Sequence, residues 1–145
     1  MIDINKEIKL AMLSKDNVRL LSLRAIKAAF MMAETEKGAD DLTVEGQLKI
    51  IQKQVKQRKD AAAIYHEQGR ADLFEDEMAQ VAVLESFLPK QMSEKEIEDV
   101  VKRIIANLKA ISMEDMGKVM AVATKQMSGQ ADGKVIAAKV RQLLT

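Results

Sequence analysis

Basic residues recur in pairs seven positions apart in the last third of the chain. The pairs are Lys102 with Lys109, Lys118 with Lys125, and Lys134 with Arg141. Because each residue of a helix advances by about 100°, residues seven apart lie on one side of it, two turns apart. Such cations can contact phosphates of a nucleic-acid backbone, and Lys139 adds a further positive charge. The alternative is that they only keep a helical surface solvated, as surface lysines commonly do.

A second basic stripe is predicted on an earlier helix. Its members are Lys49, Lys53, Lys56, Arg58 and Lys59. They can either contact phosphate or form ion pairs with an acidic stretch further along the chain. That acidic stretch comprises Asp72, Glu75, Asp76 and Glu77. Pairing within the chain is the simpler explanation, although each exposed pair adds well under about 1 kcal/mol.

The residues that most enzymes use for catalysis are nearly absent. The chain has no Cys and a single histidine, His66, which has no obvious Ser or Asp partner in the sequence. The absence of cysteine excludes thiolate nucleophiles, disulfides and Cys-based metal sites. The acidic residues lack the spacing of a calcium-binding loop, and no phosphate-binding glycine motif occurs. We therefore predict no catalytic residue, no metal site and no cofactor.

Composition favours a soluble globular protein. The chain has 145 residues, with 23 Lys+Arg against 22 Asp+Glu and a formal net charge of +1. No apolar run approaches the roughly 18 residues that a membrane span needs. The N-terminus also lacks the cationic-then-apolar layout of a signal peptide. We expect no membrane partner and a cytoplasmic location.

Apolar residues recur at steps of three and four, which predicts an all-α protein. The pattern indicates four helices, a joint marked by the single proline, Pro89, and three shorter helices. Pro89 is expected to end the fourth helix near Leu88. We therefore predict an N-terminal helical domain over residues 1–90 and a three-helix C-terminal domain over residues 91–145. The C-terminal part is cationic, since 8 Lys+Arg face 3 Asp+Glu from residue 101 onward.

Helix ends can be predicted from capping residues. In the N-terminal domain, Asp16 and Thr43 cap the second and third helices. Gly38 is expected to end the second helix before a loop at residues 39–41. The apolar steps of that helix place five residues on one face, namely Val18, Leu21, Ala25, Ala28 and Met32.

In the C-terminal domain, the spacing predicts three further caps. Ser93 and Glu96 form a capping box, and Ser112 with Asp115 repeats this device in weaker form. Asp132 caps the last helix.

Three glycines accompany these predicted helices. Gly117 lies inside a helix, where glycine costs about 1 kcal/mol relative to alanine. A close helix crossing would offset that cost, and so would the approach of a partner's backbone. Gly129 and Gly133 flank Asp132 and supply turn geometry. Alternatively, the amides that begin the last helix receive an anion together with Lys134.

Two segments carry a family resemblance. They are Asp115 to Met120 (DMGKVM, including Met116-Gly117-Lys118) and Gly129 to Ile136 (GQADGKVI). Supporting segments are Lys56 to Asp60 (KQRKD) and Leu84 to Pro89 (LESFLP). On these motifs the whole chain resembles the YqeY-like proteins. Their fold recurs as the C-terminal tail domain of the GatB subunit of tRNA-dependent amidotransferases.

The resemblance implies an all-α protein in two parts. In the amidotransferase the tail domain helps to hold the tRNA, whereas amide transfer takes place in a separate catalytic domain. This chain is too short to contain that catalytic domain. A label such as carbon–nitrogen ligase with glutamine as amido donor would therefore be borrowed from the larger enzyme.

We therefore expect a helical accessory module that binds tRNA or another structured RNA through its backbone. Four aromatic residues are too few for the stacking platforms that read single strands. No DNA partner is expected. The first alternative is a protein–protein adaptor that docks on a tRNA synthetase or an amidotransferase. The second is an amide-transfer enzyme in its own right.

Overall fold

A computed structural model describes residues 1–36 and 42–145 of the chain. All regular structure within these residues is helical, so the predicted all-α class is confirmed. Contacts divide the chain into an N-terminal unit, Met1–Leu88, and a C-terminal unit, Pro89–Thr145. The sequence places this boundary two residues later, after residue 90. The predicted helix end at Gly38 and the loop at residues 39–41 lie outside the described residues.

The N-terminal unit packs four described helices around one core. They are α1 (Ile4–Ser14), α2 (Asn17–Glu36), α3 (Val44–Glu67) and α4 (Ala71–Glu85). A short turn joins α3 to α4, and Gly69 adopts a left-handed conformation there (φ 71°). The buried core residues are Ala11, Leu23, Ile26, Phe30, Ile51, Val55, Val81 and Leu84.

Local capping sets the starts of α2 and α3. An Asp16 carboxylate oxygen accepts a hydrogen bond from the Arg19 amide at 3.0 Å. The Thr43 hydroxyl accepts one from the Gly46 amide, also at 3.0 Å. Both residues therefore cap their helices as the sequence predicts.

The fourth helix ends earlier than the proline rule predicts. It stops at Glu85 rather than near Leu88. The amides of Phe87 and Leu88 bond to carbonyls three residues back, which is the pattern of a tightened final turn. Because the residue before a proline disfavours the α conformation, the last regular turn closes before Leu88 is reached.

The buried side of α2 is not the face that the apolar spacing predicts. Its core residues are Ser22, Leu23, Ile26 and Phe30. We call the predicted face the α2 seam, and its members are Val18, Leu21, Ala25, Ala28 and Met32. Val18, Leu21 and Met32 are 43%, 58% and 62% exposed. The helix has two apolar stripes, and the one with the larger side chains is buried because it removes more apolar area from water.

The C-terminal unit packs three helices around a second core. They are α5 (Glu94–Leu108), α6 (Met116–Gln126) and α7 (Gly133–Leu144), with a 3₁₀ turn (Met113–Asp115) before α6. Its buried residues are Ile97, Val101, Ile104, Val119, Ala123, Met127, Ala131, Ile136, Val140 and Leu144. All three helices contribute to this one core.

Two long-range hydrogen bonds tie the segment before α5 to the turn before α7. The Gln91 side-chain amide donates to the Gly129 carbonyl at 2.7 Å. The Met92 backbone amide donates to the Gln130 carbonyl at 2.9 Å. We call this pair of bonds the entry clasp. It fixes where α5 and α7 begin relative to each other.

The two predicted capping boxes of the C-terminal unit have different outcomes. At α5 the box forms, because the Ser93 hydroxyl accepts from the Glu96 amide and the Glu96 carboxylate accepts from the Ser93 amide. The box predicted at Ser112 does not form. Instead the Asp115 carboxylate accepts from the Ile111 amide at 3.0 Å. The 3₁₀ turn delays the start of α6 to Met116, which takes Ser112 out of capping position.

The capping box at α5 makes stability depend on pH. The hydrogen bond from the Ser93 amide, helped by the Ser93 hydroxyl, holds the pKa of Glu96 below its ordinary value. A lowered folded-state pKa stabilises the fold above the ordinary value, and this contribution is lost as pH falls through the folded-state pKa.

We expect Glu96→Gln to weaken the acid dependence of stability. Urea unfolding of the full chain, followed by circular dichroism from about pH 7 to about pH 3, measures the effect. Glu94→Gln is the matched control, since Glu94 is also exposed in the first turn of α5 and its carboxylate has no hydrogen bond to the described residues. An equal change in both variants would contradict the prediction.

Candidate nucleic-acid interface

Lys118 and Lys125 lie on the solvent side of α6. The opposite side of the helix carries the buried residues Val119 and Ala123. Both lysines are exposed, and neither forms an ion pair with a described residue. Since α6 contains no acidic residue, nothing on the helix itself neutralises the pair.

Lys134 and Arg141 form the corresponding pair on α7. The buried residues of this helix include Ile136 and Val140, and the two cations point away from them. Both are exposed and without an ion pair in the described parts of the chain. Lys139 is separate from this pair. It is half-buried. Since each residue of a helix advances by about 100°, Lys139 lies about 140–160° around α7 from Lys134 and Arg141.

Lys102 and Lys109, predicted to form a pair on α5, have different surroundings. The Lys102 ammonium group lies 3.3 Å from the carboxylate of Glu98, one turn earlier on the same helix. Lys109 is outside the helix: it is the C-cap and adopts a left-handed conformation with φ of 54°. The two side chains therefore do not share one helical face, because the helix ends at Leu108.

The shared core decides how the cationic pairs are arranged. Each helix of the C-terminal unit turns its buried side toward the same group of residues. The opposite sides therefore point outward in different directions. Lys118 and Lys125 are exposed on α6, and Lys134 and Arg141 are exposed on α7.

The second basic stripe, on α3, is partly neutralised. The Lys59 ammonium group lies 3.0 Å from the carboxylate of Glu85, and the Arg58 guanidinium lies 3.4 Å from that of Glu77. Lys49, Lys53 and Lys56 are exposed. Intramolecular pairing with α4 therefore accounts for the end of the stripe that is nearest to the acidic helix.

One acid of α4 has a different partner. The Arg70 guanidinium hydrogen-bonds the carboxylate of Asp72 at 3.4 Å and lowers the pKa of Asp72 below its ordinary value. Asp72, in the first turn of α4, therefore pairs with the residue that precedes the helix rather than with the basic stripe.

The motif glycines have different surroundings. A Cβ built on Gly117 would meet nothing within 4 Å, and the same holds for Gly133. The close helix crossing expected at Gly117 is therefore not found. Gly129 is buried and left-handed (φ 75°), as a turn position requires. Asp132 caps α7 by accepting from the Lys134 amide at 3.1 Å, so this amide already has an acceptor.

The described residues contain no group of three or more acidic, His or Cys side chains placed to hold a metal ion. His66 is exposed, and its ring lies 5.5 Å from that of Phe74. No helix among residues 1–36 and 42–145 is both long enough and apolar enough to cross a lipid bilayer.

The α2 seam is the surface whose exposure the sequence did not predict. The signal for it was present, because a helix cannot bury two apolar stripes on well-separated sides in a small unit. Positions 18, 21, 25, 28 and 32 form one stripe, and positions 23, 26 and 30 form the other. Comparing the two stripes by side-chain size would have identified the buried one.

Comparison with known proteins shows the chain's relatives. A profile of the YqeY-like proteins matches residues 2–144. "Altered inheritance of mitochondria protein 41, mitochondrial" of Pyrenophora tritici-repentis is 29% identical over 145 residues, covering 97% of this chain and 78% of the relative. The protein of the same name from Kluyveromyces lactis is 27% identical over 141 residues, covering 95% and 72%.

A third relative of the same name, from Lachancea thermotolerans, is 27% identical and covers 74% of this chain and 58% of its own length. All three relatives are named as mitochondrial proteins. The expected cytoplasmic location is therefore wrong. Composition could not reveal this, because it describes how a chain folds and not which compartment its relatives occupy.

Gly117 is the second residue of α6 rather than an interior one. We expect Gly117→Ala to raise the free energy of unfolding by less than about 1 kcal/mol, because alanine is the better helix former and its methyl group meets no neighbour. Gly129→Ala is the contrasting variant. It is expected to lower the free energy of unfolding by about 1 kcal/mol or more, since alanine at a positive φ is strained. Urea denaturation measures both. A destabilised Gly117→Ala variant would contradict the open surroundings of Gly117.

Proposed function

The chain belongs to the YqeY-like protein family, and we propose that its C-terminal unit binds structured RNA, tRNA first of all, through the phosphate backbone. The observation that carries this proposal is the unpaired state of four exposed cations on two adjacent helices. They are Lys118, Lys125, Lys134 and Arg141. Cations without acidic partners can neutralise phosphates without first breaking an ion pair.

The spacing of the cations suits separate phosphates. Seven residues of helix span about 10 Å along the axis, so the two members of a pair can reach different phosphates of one strand. The two pairs lie on separate helices, so each pair can contact its own segment of a nucleic-acid backbone.

Recognition through bases is disfavoured by composition. The chain's four aromatic residues are Phe30, Tyr65, Phe74 and Phe87, and all precede the C-terminal unit. Single-stranded RNA is read largely by stacking bases on aromatic side chains. A surface of lysine and arginine without aromatic residues instead favours contacts with phosphate, which position a nucleic acid without reading its sequence.

Two similarities support the choice of partner. The resemblance to the tail domain of the GatB subunit, which helps to hold tRNA, favours tRNA over other folded RNAs. The names of the relatives favour a mitochondrial setting over the cytoplasm. The RNAs to be tested therefore include mitochondrial tRNA.

We expect the affinity for tRNA to fall as salt rises, with a log–log slope of about −2 to −4 if three to five phosphates are neutralised. Fluorescence anisotropy of labelled tRNA with the full chain, over a series of salt concentrations, measures this slope. Replacing Lys118, Lys125, Lys134 and Arg141 together by Ala should weaken binding at least about tenfold at moderate salt and flatten the slope.

A matched control removes the same number of charges elsewhere. Lys6, Lys9, Lys15 and Arg24 are exposed cations of the N-terminal unit outside the second basic stripe, and replacing them by Ala should change binding far less. Equal losses in both quadruple variants would overturn the assignment to the C-terminal unit. Salt-independent binding would overturn recognition through the phosphate backbone, and no binding at low salt would overturn RNA binding itself. Purification from the native cell with a tRNA synthetase or amidotransferase but without RNA would favour the adaptor instead.

A further inference from the structure

The α2 seam has the spacing of a helix that pairs with another helix. Its positions, 18, 21, 25, 28 and 32, alternate steps of three and four, which is the a/d pattern of a two-helix interface. Thr35 continues the same pattern by one step. The pattern spans nearly the whole of α2, yet its three large side chains are among the exposed apolar residues of the chain. An apolar stripe of this length on a folded surface indicates an interaction site.

The core side of α2 packs against α1, α3 and α4. Along the seam Val18, Leu21, Ala28 and Met32 are exposed, and Ala25 is half-buried. Polar groups along the seam have their hydrogen bonds within the chain. The Thr35 hydroxyl donates to the Met32 carbonyl at 2.9 Å, and the Gln54 side-chain amide donates to the Ala25 carbonyl at 3.2 Å. A partner helix can therefore cover the seam without leaving these groups unsatisfied.

The order of residue sizes along the seam makes it complementary to itself. Residues of similar size lie at equal distances on either side of the midpoint between residues 26 and 27. If a second copy of α2 is rotated by a twofold axis at this point, Ala25 faces Ala28 of the other copy. Leu21 then faces Met32, and Val18 faces Thr35. Small residues meet at the centre, where they let two helix backbones approach closely, and larger residues meet on both sides.

Charge selects the antiparallel arrangement. Glu34 and Glu36 lie at the C-terminal end of α2, and Arg24 is exposed in its N-terminal half. Arg19, in the same half, is already paired with Glu7 at 3.1 Å. In the antiparallel arrangement the acidic end lies beside the N-terminus of the other α2, where the helix dipole favours negative charge. A parallel arrangement would place both acidic ends together beside two helix C-termini, and both copies of Arg24 at one level.

From these features we propose that a second copy of this chain covers the α2 seam, forming a twofold dimer through antiparallel α2 helices. The proposal involves only the N-terminal unit and is independent of RNA binding. In this dimer the α2 seam of one copy is covered by the α2 seam of the other. The two seams have the same spacing of apolar residues, and their side-chain sizes and end charges are compatible. A dimer of this kind presents two C-terminal units, and so two sets of the four cations.

Sedimentation velocity of the full chain tests the association. Concentrations from about 1 µM to about 200 µM cover the range in which an interface of modest size dissociates. We expect a concentration-dependent dimer, and Leu21→Lys should raise its dissociation constant at least about tenfold because both copies of the lysine face apolar partners. Ile64→Lys is the matched control. Ile64 is 54% exposed, on α3, and its replacement should leave the dimer intact.

Disulfide cross-linking tests the direction of the pairing, since the natural chain has no Cys. In the antiparallel dimer a chain with both Leu21→Cys and Met32→Cys becomes covalently dimeric on oxidation. Leu21→Cys alone does not, because the two copies of position 21 are then about 16 Å apart along the axis, beyond disulfide reach. In a parallel dimer Leu21→Cys alone would cross-link.

Four outcomes would overturn the proposal. They are a monomer at every concentration, a dimer that tolerates Leu21→Lys, efficient cross-linking of Leu21→Cys alone, and a different protein bound at the seam in place of a second copy. Circular dichroism of Leu21→Lys separates loss of the dimer from loss of folding. A folded, monomeric Leu21→Lys variant together with cross-linking of the double-cysteine chain supports it.

Discussion

Burial of three apolar helix sides in one core is the constraint on which the C-terminal unit depends. The unit is short, and the chain has no cysteine to brace it, so α5, α6 and α7 must each turn their apolar side inward. Their polar sides then point outward in different directions. The same constraint that stabilises the unit thus exposes Lys118 and Lys125 on α6 and Lys134 and Arg141 on α7. The four cations therefore occupy exposed helix positions that do not contribute to the core.

Features fixed by a few neighbouring residues could be predicted from the sequence. The caps at Asp16, Thr43 and Ser93 depend on one side chain and the amide three residues further on, so their spacing contains the necessary information. The cap expected at Ser112 failed because a 3₁₀ turn competes for the same residues. The choice between these local conformations depends on packing, which no short motif encodes.

Features that depend on competition between surfaces could not be predicted in this way. On α2 two apolar stripes satisfy helical periodicity equally well, so periodicity alone does not identify the buried one, and the comparison of side-chain sizes is needed as well. The candidate site also depends on contacts that the spacing of residues does not reveal. Spacing predicted which cations share a helix face, but the pairing of Lys102 with Glu98 and the position of Lys109 beyond the helix end required the structure.

The entry clasp has a mechanical consequence for the C-terminal unit. Gln91 and Gly129 are 38 residues apart in sequence, yet their hydrogen bond joins the two ends of the path that runs through α5 and α6. A pull on α7 is therefore shared with the segment that leads into α5, instead of loading the α6–α7 turn alone. The start of α7 therefore separates from the start of α5 only when both hydrogen bonds of the entry clasp break.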